Sequence, residues 1–125
     1  MPPKAKEYEA SFFVIDVGCT SYGSRFIQKA IKCASNIVQR KIFSEANSRY
    51  GMVLVGTRRS HNDLGYDHVT TVKMPGNQGD LVTADFATVK FLEEEVVNYV
   101  GEDIDNGDWL DGVVVAMDRL ENRIF

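Results

Sequence analysis

The sequence predicts a single α/β domain whose sheet is covered by helices on both faces, and three stretches carry that reading. Residues 11–17 (SFFVIDV) are almost continuously apolar, as an interior parallel strand must be when both of its faces are buried. Apolar residues then recur at three-to-four spacing over residues 24–46, the helical period. A second buried-strand pattern, YGMVLVG, follows at 50–56.

Each element follows from local chemistry. The helix over 24–46 presents Phe26, Ile27, Ala30, Ile31, Ala34, Ile37, Val38, Ile42 and Phe43 as its apolar stripe, and Asn47 and Ser48 break it. Residues 57–67 are polar with Gly, Asn and Asp, a turn or loop, and residues 68–74 (HVTTVKM) alternate as a half-exposed strand, predicting a hairpin with the strand before. Pro75, Gly76 and Asn77 end that strand. A second helix is expected over 83–100, presenting Phe86, Val89, Leu92, Val96 and Val97, with Gly101 as its C-cap. An acidic connector, Glu102 to Asp105, leads to a last helix from Asp108 to about Asn122, where Asp108 and Asp111 favour the positive end of the helix dipole.

The predicted order is β-α-β-β-α-α. It leaves 11–15 patterned for a neighbour on each side while supplying a ribbon on one side, and an unpaired apolar edge is an aggregation hazard. The pattern therefore predicts a domain shortened after its third helix, with the next strand due after Phe125: a charged tail at 1–10, then a partial α/β domain at 11–125.

Composition narrows the function classes. At 125 residues and 44% hydrophobic content there is core enough for one domain and too little for two. A net charge of −4 argues against a surface built to hold a phosphate backbone. Cys19 and Cys33 stand without a CxxC or Cys/His cluster and read as free thiols of a reducing compartment. No apolar run approaches the ~18 residues of a membrane span, and the start of the chain is charged rather than a signal peptide. Glu93, Glu94 and Glu95 read as a solvated helix face.

The stretch with the richest chemistry is VIDVGCTSYGSR, residues 14–25, a strand-end carboxylate followed by a small-residue loop. The run from Gly18 to Arg25 has the spacing of the phosphate-binding GxxxxGK[ST] loop, but Ser24 occupies the lysine position, and Asp16 would repel an approaching anion. Ser60, His61 and Asp63 sit together in one loop, expected to be flexible and without the separate elements that assemble a triad. His68, at the start of a strand, reads as structural or exposed. Metal is the stronger candidate, because a strand-end Asp with hydroxyls two and four positions on could hold Mg²⁺. Position two is Gly18, however, and only Thr20 keeps its hydroxyl.

Asp16 to Thr20, DVGCT, resembles the DxSxS metal-site motif of von Willebrand factor A domains with Gly18 in place of the first serine. No Ser or Thr occurs from Gly101 to Phe125 to supply the later threonine ligand. A more specific likeness lies in Ile37 to Phe43 (IVQRKIF), Leu54 to Thr57 (LVGT), and Asp108 to Asp111 (DWLD) with Val115, Met117 and Asp118. These stretches resemble the amino-terminal A-type domain of Ku, the heterodimer that binds DNA ends in non-homologous end joining, and fit its larger subunit better than its smaller. The likeness runs from about Phe12 to Met117.

The resemblance implies a Rossmann-like von Willebrand factor A-type three-layer sandwich with the first strand central and a hairpin on one flank. It implies a degenerate metal-site loop at Asp16, Gly18 and Thr20, no catalytic residue and no cofactor, although members of the family have been labelled ATP-dependent helicases. It further implies the smaller Ku subunit and other repair factors as partners, and a role in double-strand break repair and telomere maintenance in the nucleus. DNA would be gripped by a β-barrel that follows this domain. The alternative is a metal-dependent ligand-binding A-domain using Asp16 and Thr20.

Overall fold

The computed structural model describes residues 9–18, 23–43, 48–57, 60–75, 81–95 and 109–124. Its elements are β1 (Glu9–Asp16), α1 (Gly23–Ile42), β2 (Ser48–Val55), β3 (Val69–Thr71), β4 (Val82–Thr83), α2 (Phe86–Glu94) and α3 (Trp109–Ile124).

The β1-α1-β2 unit is the parallel crossover that the sequence pattern calls for, with β1 and β2 in register from Glu9↔Ser48 to Asp16↔Val55. On its other edge β2 pairs antiparallel with β3, through Val53↔Thr71 to Val55↔Val69, which is the expected hairpin. The short β4 takes the other end of the same edge, antiparallel at Arg49↔Thr83 and Tyr50↔Val82. Among the described residues β1 is paired on one side only, so the interior position falls to β2.

Alternation along the strands sends two sets of side chains into two cores. Phe13, Ile15, Tyr50, Met52 and Leu54 meet Ile27, Ile31, Ala34 and Val38 of α1 and Leu92 of α2. Phe12, Val14 and Val53 meet Val115 and Ala116 of α3 on the opposite face. Helices thus cover both faces of a mixed sheet, the three-layer α/β arrangement. Within the first core the rings of Phe13 and Tyr50 stack at 5.6 Å across the β1/β2 pair.

The α3 layer lies close because residue 112 has no side chain. A Cβ on Gly112 would stand 3.0 Å from Val14 Cγ1 and nearer still to Val55 Cγ2. Glycine there costs helix propensity of about 1 kcal/mol and gains contact between helix and sheet.

Several expectations are corrected. The second helix does not begin at residue 83: Thr83 belongs to β4, and Asp85 adopts extended backbone as the N-cap. Its carboxylate accepts from Thr88 N–H at 2.8 Å and from the Thr88 hydroxyl at 2.9 Å, so capping chemistry overrides apolar spacing. Phe86 is then the first helical residue and is exposed rather than in the core. Residues 96–101 lie outside the described set. The first helix ends at Ile42, and Ile37 and Phe43, expected on its buried stripe, face outward. The third strand is confined to Val69–Thr71, although Val72 N–H still donates to Met52 C=O at 3.0 Å. Ser48, expected as a breaker, opens β2 and is buried. In α3, Val115 is buried while Trp109 and Met117 are exposed.

Candidate functional site

The strand-end crest, where β1 and β2 run out side by side, is where the sequence places its candidate ligand. Asp16 ends β1 and is half-buried; Gly18 behind it is buried. Thr20 lies outside the described residues, as does Cys19. Ser24 is the second residue of α1.

The described part of the crest closes on itself. The Asp16 carboxylate accepts the Gly18 N–H through Oδ1 at 2.9 Å, a short local turn, while Val17 N–H donates to Val55 C=O at 2.8 Å and extends the parallel ladder by one residue. Across from it Gly56 has φ +83, in the left-handed region that only glycine enters without cost. A Cβ there would fall 2.7 Å from both Cα and N of Gly18, and 3.1 Å from Asp16 Oδ1. Two glycines therefore bring the two strand-end loops together backbone to backbone. Among the described residues no three His, Cys, Asp or Glu side chains are placed to share a metal ion.

The polar loop between β2 and β3 is better braced than its composition predicts. Asn62 uses both ends of its amide: Nδ2 donates to Tyr66 C=O and Val69 C=O, both at 2.8 Å, and Oδ1 accepts from Tyr66 N–H at 3.0 Å. His61 exchanges backbone bonds with the strand, donating to Val69 C=O at 2.9 Å and accepting from Thr71 N–H at 2.8 Å. Asp63 pairs with Arg119 of α3 at 2.6 Å. The expectation of a loop with no scaffold is thus corrected; a polar side chain that saturates three backbone groups fixes a loop as firmly as a short strand does.

That bracing ties Ser60 and Asp63, two of the three candidate groups of a triad, to other partners. The Ser60 hydroxyl accepts from His68 N–H at 2.8 Å, and the Asp63 carboxylate is engaged by Arg119. His68 sits just before β3 at φ 59, its Nδ1 2.9 Å from Thr57 C=O, a structural role. Beneath it the Thr57 and Thr70 hydroxyls share a buried hydrogen bond of 2.8 Å. This pair, with Gly56 and Gly112, is what sequence reading missed; the adjacent Gly-Thr after a buried strand was the available signal.

Between α1 and α2 runs a polar seam. The buried Ser35 hydroxyl donates to Glu93 Oε1 at 2.9 Å and accepts from Gln39 Nε2 at 3.2 Å. Glu94 and Glu95 are solvated as expected, whereas Glu93 also ties the helices.

Residues 10–124 match the family model described as the Ku70/Ku80 N-terminal alpha/beta domain. The chain belongs to this Ku family. The Ku resemblance in the sequence and the α/β layers around β2 agree with that membership. Two curated relatives extend it. One is X-ray repair cross-complementing protein 5 of Dictyostelium discoideum, 29% identical over 124 residues, covering 90% of this chain. The other is the ATP-dependent DNA helicase 2 subunit KU80 of Oryza sativa subsp. japonica, 27% identical over 124 residues, covering 93%. The matches take in 14% and 16% of those proteins' own lengths, so this Ku domain spans about a seventh of each. The likeness to the larger Ku subunit, read from the sequence, stands. No helix among the described residues is long and apolar enough to cross a membrane.

Proposed function

We propose that this Ku domain is a non-catalytic interaction module of a large Ku subunit. It acts in double-strand break repair by non-homologous end joining and in telomere maintenance, in the nucleus, with the smaller Ku subunit and other repair factors as partners. DNA ends are held by parts of the full protein outside residues 11–125; of the stretch expected as a charged tail at 1–10, Glu9 and Ala10 instead belong to β1. The helicase in one relative's name belongs to that relative; Ser24 stands where a phosphate-binding lysine would be.

The observation that supports an interaction role over a ligand-binding one is the closed crest. Asp16 Oδ1 accepts from the neighbouring Gly18 N–H, and Gly18 packs against Gly56. Asp16, Gly18 and Thr20 are on this reading a degenerate metal-site loop that turns the chain from β1 into α1. A net charge of −4 supports placing the grip on DNA elsewhere.

The test deletes residues 10–124 from the full subunit and purifies it with its smaller partner. Retention of a DNA end in a gel at moderate salt is expected to persist, while rejoining of a linearised plasmid in cells falls. Loss of end retention would place the grip on DNA in this domain and end the reading. The 125-residue chain by itself is expected to leave DNA ends unshifted.

A further inference from the structure

The outer face of α1 is the least accounted-for surface of the molecule. In a chain of net charge −4, this helix carries five of the 14 Lys and Arg residues and no Asp or Glu. Ile27, Ile31, Ala34 and Val38 bury one side of it against the sheet. On the opposite side Lys29, Lys32, Cys33, Asn36, Ile37 and Arg40 form one exposed stripe. Ile37, 41% exposed, gives the stripe an apolar side chain.

A second observation lies just past the C-terminal end of the same stripe. Phe43, one residue past α1, is 81% exposed, and Phe86, which opens α2, is 68% exposed. Their rings meet edge to face at 6.3 Å, an aromatic pair set in solvent rather than in the core. From Lys29 to Phe43 the row runs about 21 Å at helical rise, roughly four turns of a bound helix.

We infer that this face docks an acidic amphipathic peptide from a protein partner, its carboxylates over Lys29, Lys32 and Arg40 and an apolar side chain against Phe43 and Phe86. Charge complementarity fixes the sign of the partner. The apolar part fixes its class. A DNA duplex offers phosphates but nothing to fill Ile37 or the aromatic pair, and its field meets the acidity of the whole chain, whereas a short peptide meets only the local cations. Exposed aromatics beside a charged stripe are the composition of an interface anchor. The inference deepens the proposed interaction role and rests on it. It can fail while the DNA-end experiment succeeds, because that experiment removes the whole domain and reads end retention, not what binds this face.

The test selects peptides of about 14 residues, the helical length matching the row, from a displayed random library on the 125-residue chain. Enriched sequences are expected to carry Asp or Glu with a Leu, Phe or Trp anchor. Their affinity should fall about tenfold or more against the Lys32→Glu/Arg40→Glu chain, where like charges now face each other, and about fivefold against Phe43→Ser. Bound peptide should also slow alkylation of the exposed Cys33 thiol, read by mass spectrometry, a local report that survives any folding defect of the variants. The inference is overturned by enrichment without acidic residues, by equal binding to the charge-reversed chain, or by unprotected Cys33. A short DNA duplex that binds as tightly and ignores Phe43→Ser would replace the peptide with a polyanion. Protection of Cys33 by rising concentrations of the chain itself would replace it with a second copy.

Discussion

The strand-end crest and the outer face of α1 invert each other. The crest has the residues of a site, a carboxylate among glycines and hydroxyls, yet Asp16 Oδ1 accepts from Gly18 N–H in its own loop and Gly56 fills the space beside Gly18 with backbone. The face of α1 carries a stretch of family likeness, Ile37 to Phe43, but no ligand motif, yet it shows a row of exposed cations and an exposed aromatic pair. Motif chemistry and available chemistry are different things: the first records kinship, and the second depends on which groups the fold leaves unsatisfied.

The largest effect expected at the crest comes from Gly56→Ala. The left-handed backbone costs a β-carbon about 1–2 kcal/mol, and the clash with Gly18 Cα and N adds the ~1–3 kcal/mol of overpacking. A loss of about 3 kcal/mol in urea unfolding is expected. A neutral outcome would mean that the two strand-end loops are not in contact, and the crest would again be open to a ligand.

Gly112→Ala comes next and separates packing from helix propensity. Alanine gains about 1 kcal/mol in a helix interior but brings its methyl group against Val14 and Val55, at ~1–3 kcal/mol. A net loss of about 1 kcal/mol is expected; a gain in stability would show that α3 does not sit on the sheet at this depth.

What the sequence made legible follows the same physics. Continuous apolar runs predicted β1 and β2, and three-to-four spacing predicted α1, because burial on both faces or along one stripe leaves a periodic record. Ile37 and Phe43 broke the α1 reading because periodicity counts apolar residues without knowing which of them a partner surface can reach. Asp85 moved the start of α2 by a cap that outweighed Thr83 in the pattern. The proposed reading of the Asp16 loop as a degenerate site rests on the sequence, since Gly18 supplies no hydroxyl in any conformation. The closure of that loop was not legible, because the contact of Gly56 with Gly18 joins residues 38 apart and depends on strand register.

Asp16→Ala tests the closed crest more gently. The bond from Gly18 N–H is half-buried and local, so about 1 kcal/mol should be lost. Millimolar Mg²⁺ is expected to leave the melting temperature of the native chain unchanged. A rise that disappears in Asp16→Ala would restore the metal-dependent reading, since a cation bound only by the folded state must stabilise it.

The smallest effects belong to α1, and their smallness is informative. Arg40 lies in the last turn, where a cation favours the negative end of the helix dipole, so Arg40→Glu should cost about 0.5 kcal/mol for that reason alone. Lys32 is mid-helix and exposed, so Lys32→Glu should leave stability within about 0.5 kcal/mol of the native chain. Helix stability thus accounts for a cation at Arg40 but asks for none at Lys32. Urea midpoints of the two variants read this difference directly. If Lys32→Glu unfolds as easily as Gly56→Ala, its charge serves the fold, and the cationic row needs no partner to explain it.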